Sequence, residues 1–134
     1  AAIDRLAVAL TSQGRRAEAI AFLRSSREIA PWRRCTITGN LAVILYMDGQ
    51  KEAAALELES LRRPDALDRS PACGLALYRL GNLYLELGRP ADARRALLDY
   101  LRASAGSTAG FHRDMRADAE RLLASLPQPT AGPR

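Results

Sequence analysis

The chain has 134 residues, and its 20 Lys and Arg against 15 Asp and Glu give a formal net charge of +5 at pH 7. This length suits one domain rather than two. The 25 Ala and 21 Leu, against only seven Val and Ile together, argue against a sheet-rich core and favour helices. The apolar runs are short and interrupted by charges, which argues against membrane insertion.

Three segments share one pattern, in which a helical stretch, a glycine turn and an alanine-rich helix follow each other. Their turn glycines are Gly14, Gly49 and Gly88, so the spacings are 35 and 39 residues. A glycine in the left-handed conformation commonly ends a helix, and each of these three is predicted to close a helical hairpin. Apolar pairs four residues apart flank every glycine: Leu6/Leu10, Leu41/Leu45 and Leu80/Tyr84 before it, and Ala19/Leu23, Ala54/Leu58 and Ala93/Leu97 after it.

These hairpins predict repeats over approximately residues 1–31, 32–66 and 71–105. The longer second spacing is assigned to a loop insertion at 62–70, after which Ser70 is the predicted N-cap and Pro71 the first helical residue. The β-branched residues before Gly39 predict a helix that is bent there or begins late.

A seventh helix is predicted over 111–126, where it would cap the last hairpin, because the terminal repeat of a solenoid otherwise exposes a core face. We expect residues 1–126 to form a single helical domain and residues 127–134, rich in Pro and Gly, to be a disordered tail. The apolar stripe of the capping helix consists of Phe111, Met115, Ala119, Leu122 and Leu126.

At these positions the chain resembles the tetratricopeptide repeat family, whose signature is W-x2-L-G-x2-Y, followed by Ala and a closing Pro. The third segment is the most similar, with Leu80-Gly81, Tyr84 and Ala93 in the expected order and Leu77 in the Trp place. Ala7 and Ala42 replace the signature Gly in the other two, which is typical of divergent repeats. An unrelated helical bundle is the alternative architecture.

The resemblance implies an all-α fold: a right-handed α-solenoid of three antiparallel helix hairpins with a seventh capping helix. It also implies a concave groove, lined by the first helix of each hairpin, that binds a peptide or helix of another protein. Tyrosines and methionine there would supply apolar area with polar tips, or the tyrosines would simply pack between repeats. The predicted partner-binding residues are Asn40, Val43, Tyr46, Met47, Leu75, Tyr78, Arg79 and Asn82, with Glu86 on the same face.

One subclass of this family holds the C-terminal carboxylate of a chaperone tail with Lys, Asn and Arg. Only Asn40 and Arg79 match that arrangement, while Asp4 stands where a Lys is required. A carboxylate would be repelled there, so we do not expect the full clamp, although Arg79 remains able to pair with an acidic group of a partner.

Residues suited to catalysis or to metal and cofactor binding are few. His112, the only histidine, is predicted to be an exposed residue at a helix start. Cys35 and Cys73 have no metal-ligand spacing and are predicted to be buried small hydrophobic residues, with a disulfide between them as the less favoured alternative. The sequence therefore predicts a non-catalytic interaction module without cofactor or metal, acting as a scaffold, adaptor or chaperone.

Two alternative functions remain. The first is self-association as a homodimer through Ile3, Leu6 and Leu10, since the first helix lacks a preceding hairpin to cover it. The second is RNA binding, which is disfavoured because the arginine pairs are scattered among acidic residues rather than gathered beside aromatic ones. The Arg and Ala usage is typical of a GC-rich bacterium, and a cytoplasmic location is expected, or a periplasmic one if an upstream signal has been removed.

Overall fold

The computed structural model describes residues 2–62, 71–107 and 110–127. In this part of the chain seven α-helices follow one another without a strand, and short 3-10 turns at Pro31–Arg33 and Ser60–Arg62 extend two of the connections. The predicted N-cap Ser70, nearly all of the predicted loop insertion, and residues 128–134 of the predicted tail lie outside the described residues. The helices are α1 (Ala2–Ser12), α2 (Arg16–Ile29), α3 (Arg34–Met47), α4 (Lys51–Glu59), α5 (Pro71–Glu86), α6 (Pro90–Ala103) and α7 (Gly110–Ser125).

Consecutive helices pack as three hairpins, α1 with α2, α3 with α4, and α5 with α6. Each hairpin also touches the next one, because α3 packs against both α2 and α5, and α5 packs against α4. Helix α7 lies against α5 and α6 at the end of the row. The predicted all-α solenoid of three hairpins with a seventh helix is therefore confirmed.

The three hairpin turns have the same backbone structure. Gly14, Gly49 and Gly88 have φ values of +75°, +80° and +70°, in the left-handed region where an L side chain is strained. In every turn the amide after the glycine donates to a carbonyl five residues earlier, at 2.8 to 2.9 Å. This bond satisfies a carbonyl that the helix end leaves unpaired, which explains why glycine recurs at these positions.

The residues predicted to form the seams between helices are buried in the second and third hairpins. Leu41 and Leu80 are completely buried, whereas Leu6, at the equivalent position of the first hairpin, is 47% exposed. The difference follows from the stacking, because α3 and α5 each have a preceding hairpin against them, whereas within the described residues no hairpin precedes α1.

Helix α3 is continuous from Arg34, so the prediction that it begins late, after the β-branched residues before Gly39, is wrong. Ile37 and Thr38 are both fully buried. Burial of these side chains between the flanking helices outweighs the small helix-propensity cost of β-branched residues.

At the start of helix α7 the buried side chain is that of His112, whereas the sequence assigns Phe111 to the apolar stripe. Phe111 is 45% exposed, while His112 is only 2% exposed, so the prediction of an exposed histidine is wrong. Tyr100 Oη lies 2.8 Å from His112 Nδ1, which joins α6 to α7. A Cβ atom on Gly74 would stand 3.1 Å from His112 Cε1, so this glycine makes room for the imidazole.

The two cysteines form a disulfide between α3 and α5. Cys35 and Cys73 are both buried, as predicted, but their sulfur atoms are bonded and their Cα atoms are 4.9 Å apart. The prediction of separate buried thiols is therefore wrong. Cysteines 38 residues apart in sequence meet because each lies near the start of the first helix of its hairpin, and those two helices are neighbours.

The contact between Gly81 and Leu97 gives a test of the hairpin packing. A Cβ atom on Gly81 would lie 2.7 Å from Leu97 Cγ, and Leu97 is fully buried and cannot swing away. Even Gly81→Ala is therefore expected to lower the free energy of unfolding by about 1–3 kcal/mol in urea denaturation, and Gly81→Leu by more.

Gly39→Ala is the matched control, because the new methyl group would meet Arg79 Nη1 at an ordinary 3.5 Å. This variant should be neutral or up to about 1 kcal/mol more stable, since Ala favours a helix interior over Gly. Equal effects of the two variants would contradict the packing of α5 on α6.

The disulfide predicts a measurable loss of stability on its removal. Cys35→Ala with Cys73→Ala is expected to lower the free energy of unfolding by about 2–4 kcal/mol, because the unfolded chain is no longer constrained. Reduced wild-type protein should behave like the double variant. Alkylation of both thiols in unfolded, non-reduced protein would show that the bond does not form.

Candidate functional site

The neighbouring helices α3 and α5 form a pocket that encloses about 280 Å³. Residues spaced three or four apart face the same side of a helix, so Val43 and Tyr46 share one wall, and Tyr78, Asn82 and Glu86 share the other. Residues of α3, α4 and α5 complete it. The α3–α5 pocket is lined by Ala42, Val43, Tyr46, Leu58, Tyr78, Arg79, Asn82, Leu83 and Glu86.

The side of the pocket formed by α3 is apolar apart from the hydroxyl group of Tyr46. Tyr46 is 40% exposed, and its hydroxyl donates to Glu86 Oε1 at 2.7 Å across the pocket. This hydrogen bond and the charge of Glu86 raise the pKa of Tyr46 above its ordinary value. The ammonium group of Lys51 lies 5.4 Å from the centre of the same ring. The tyrosine ring thus stands open to a ligand while its tip is held in place.

The α5 wall is anchored from behind by α6 and α7. Tyr78 donates its hydroxyl to Asp118 of α7, and its ring centre lies 5.3 Å from that of Tyr100. Burial, followed by the bond to Asp118, raises the pKa of Tyr78. Asn82 donates from Nδ2 to the Tyr78 carbonyl at 3.0 Å. Tyr78 therefore both packs between helices and lines the pocket, so the two alternatives considered for it are not exclusive.

Arg79 lines the pocket with its positively charged guanidinium, and none of the described residues provides it with a counterion. No described carboxylate lies within 4.0 Å of its guanidinium, and no hydrogen bond from it is formed to the described residues. Its side chain reaches across to α3, where Nη1 is 3.5 Å from the position that a Cβ atom on Gly39 would take. Burial lowers the pKa of Arg79, although an arginine stays charged at neutral pH.

Five of the eight predicted partner-binding residues line the α3–α5 pocket, and Asn40, Met47 and Leu75 do not. Asn40 donates from Nδ2 to Asp4 Oδ1 at 2.9 Å, and Asp4 also pairs with Arg33 at 2.6 Å. Asn40 thus serves the contact between α1 and α3 instead of an open site.

Met47 directly follows Tyr46 and is 51% exposed, and Leu75 is partly buried near the start of α5.

Three apolar residues that line the pocket were not predicted as site residues. Their helical periodicity marks them as core residues, and they are buried, but the gap between α3 and α5 places them at the bottom of the pocket. They are Ala42, Leu58 and Leu83.

The three residues of α1 that are predicted to form a homodimer contact differ in how far they are buried. Ile3 and Leu10 are partly buried against the core, and Leu6 is 47% exposed. Of the three predicted residues, Leu6 therefore offers the most apolar surface to a second copy.

Many of the arginines that raise the net charge are paired with acidic residues. Arg27 pairs with Glu57 at 2.5 Å, and Arg62 pairs with Asp99 at 2.5 Å. In the described ranges no three His, Cys, Asp or Glu side chains come together as a metal site would require. None of the helices in those ranges has both the length and the apolarity needed to cross a membrane.

The charge of Arg79 leads to a prediction for stability. Arg79→Met is expected to raise the free energy of unfolding by about 0.5–1 kcal/mol, because the substitution keeps the packing volume and removes a partly buried charge that has no counterion among the described residues. Arg5→Met is the control, since Arg5 is exposed and its charge is already solvated. A stability loss for Arg79→Met beyond that of the control, measured in urea, would show that Arg79 is compensated in the free protein.

Two of the three hairpins match models of a known protein family. Two family models, both described as Tetratricopeptide repeat, match residues 75–107 and residues 1–30. No curated protein matches the chain. The first range covers most of α5 and all of α6, and the second covers α1 and α2. The hairpin between them has the same glycine turn and the same buried Ala and Leu positions. The chain belongs to the tetratricopeptide repeat family.

Proposed function

We propose that the chain is a non-catalytic interaction module, a scaffold, adaptor or chaperone, that binds a peptide or helix of a partner protein in the α3–α5 pocket. Tetratricopeptide repeats are in general protein–protein interaction modules and are typically non-catalytic. The observation that carries the proposal is an open, largely apolar pocket between the first helices of two adjacent hairpins.

The chemistry of the pocket suits a peptide side chain. Val43 and Tyr46 present exposed apolar surface, and Met47 continues it along the same side of α3. Apolar residues exposed next to one another are characteristic of interaction sites, and tyrosine and methionine adapt well to a bound side chain. A cavity of about 280 Å³ has room for one or two such side chains, so the rest of a partner segment would lie along the surface.

The function is tested by selecting binders from a displayed library of random peptides. Wild-type protein is expected to enrich a defined set of peptides, and Tyr46→Ala is expected to weaken their binding by about tenfold or more, because an aromatic anchor is removed. Leu56→Ala is the matched control, since Leu56 is an exposed apolar residue of α4 outside the pocket.

Circular dichroism of both variants should match that of the wild type, because neither side chain is in the core. If no peptide is enriched, or if Tyr46→Ala and Leu56→Ala bind the selected peptides equally well, the pocket is not the binding site.

Self-association is the second candidate, and the exposure of Leu6 on α1 favours it. Leu6 lies on the helix whose counterparts α3 and α5 are covered by a preceding hairpin. Sedimentation velocity over a range of concentrations distinguishes the two candidates. A dimer that Leu6→Glu dissociates supports this interface, and a monomer at all concentrations excludes it.

The location of the protein is also a proposal. The disulfide between Cys35 and Cys73 favours the periplasmic alternative over the cytoplasm, because disulfides persist in oxidising compartments. Trapping the thiols with an alkylating agent at the moment of cell lysis would distinguish the two compartments.

A further inference from the structure

The two tyrosines of the α3–α5 pocket are held in different ways. The ring of Tyr78 packs against that of Tyr100, with ring centres 5.3 Å apart, which restricts its rotation. The ring of Tyr46 is 40% exposed near the end of α3, where Val43 and Met47 are exposed as well. Packing therefore orients Tyr78, whereas Tyr46 depends on polar contacts for its orientation.

Two charged groups contact Tyr46, and they act on different parts of it. Glu86 Oε1, on the opposite wall of the pocket, accepts the hydrogen bond from its hydroxyl at 2.7 Å. The Lys51 ammonium group lies 5.4 Å from the ring centre, but Lys51 does not line the pocket, and a cation–π contact near the surface is weak. A hydrogen bond to a charged acceptor is both directional and stronger. Glu86 is therefore the group that fixes the direction of the tyrosine.

We propose that Glu86 is a positioning residue of the α3–α5 pocket, which holds the Tyr46 ring in the orientation that receives an apolar side chain of the partner, without binding that side chain itself. This inference rests on the proposed function and adds to it the residue that preorganises the site. A ring that is already held loses less conformational freedom when a partner binds, so the partner is bound more tightly.

A direct contact between Glu86 and a basic residue of the partner is the alternative role. Arg79 already lines the same pocket with a positive charge, which disfavours the entry of a second cation. The two roles also make different demands on the side chain. Accepting a hydrogen bond from a hydroxyl group requires an oxygen atom but no charge, whereas pairing with a cation requires the charge.

The experiment measures the affinity of a peptide that wild-type protein selects from a displayed random library. Glu86→Ala is expected to weaken binding about threefold to tenfold, because the ring must then be ordered when the peptide binds. Glu86→Gln should stay within about twofold of wild type, because its side-chain carbonyl oxygen still accepts the hydrogen bond. Glu28→Ala is the matched control, since Glu28 is an exposed glutamate of α2 outside the pocket.

A double-mutant cycle tests whether Glu86 acts through Tyr46. Tyr46→Phe removes only the hydroxyl group and is expected to weaken peptide binding as much as Glu86→Ala does. The two substitutions together should weaken it no further, because each of them breaks the same hydrogen bond. Circular dichroism of all three variants should match that of the wild type, since both side chains are exposed.

The titration of Tyr46 reports on the hydrogen bond without a peptide. The bond to Glu86 and the negative charge of Glu86 favour the neutral phenol and so raise the pKa of Tyr46. In nuclear magnetic resonance spectra of protein with isotope-labelled tyrosine, the pKa of Tyr46 is therefore expected to be lower in Glu86→Ala than in wild type. The spectrum of Tyr46→Phe identifies the signal.

The outcomes separate this inference from the proposed function. Equal losses of affinity in Glu86→Gln and Glu86→Ala overturn the positioning role, because they show that the partner needs the charge itself. Independent effects of Tyr46→Phe and Glu86→Ala, or a Glu86→Ala variant that binds like Glu28→Ala, also overturn it and leave pocket binding intact. The same holds if the pKa of Tyr46 is equal in wild type and Glu86→Ala. Failure to enrich any peptide contradicts both proposals.

Discussion

The reversal of the chain at a left-handed glycine is the constraint on which the rest of the molecule depends. Gly14, Gly49 and Gly88 form turns with the same hydrogen bonds, so every hairpin has the same short connection and the same register. In the third hairpin this register brings Gly81 of α5 against Leu97 of α6, where a Cβ atom on the glycine would lie 2.7 Å from Leu97 Cγ. A glycine opposite a large side chain lets the two helices approach closely and fill the space between them.

Because the hairpins stack, helices of two different hairpins become neighbours and form the α3–α5 pocket. Helices α3 and α5 become neighbours although α4 lies between them in sequence, and the disulfide from Cys35 to Cys73 joins them near their starts. Their other ends carry the pocket residues, including Tyr46 and Glu86, which meet across the gap. The disulfide at one end and the hydrogen bond at the other link the two walls, so the pocket is formed before the proposed partner binds.

The charge of Arg79 is expected to affect the stability of the free protein. Several other arginines are paired with acidic residues, such as Arg27 with Glu57 and Arg62 with Asp99. Among the described residues, no carboxylate pairs with Arg79. Residues that bind a ligand often destabilise the free protein, because their polar groups are arranged for the bound state.

The sequence by itself determined the helices, their turns and their pairing, because these depend on interactions within a few residues. The apolar steps around Gly14, Gly49 and Gly88 repeat with helical spacing and need no distant partner to be interpreted. The resemblance to the tetratricopeptide repeat family, applied to the same spacing, predicted five of the nine residues that line the pocket, including Val43 and Tyr78.

Only the tertiary structure decided the contacts between residues far apart in sequence. Neither the bond from Cys35 to Cys73 nor the hydrogen bond from Tyr100 to His112 follows from local pattern, because each depends on the rotation of one helix against another. The surroundings of Arg79, which include no carboxylate partner among the described residues, are of the same kind, since every nearby helix must be in place before they are known. Local spacing specifies which face of a helix is buried, and only packing specifies what that face meets.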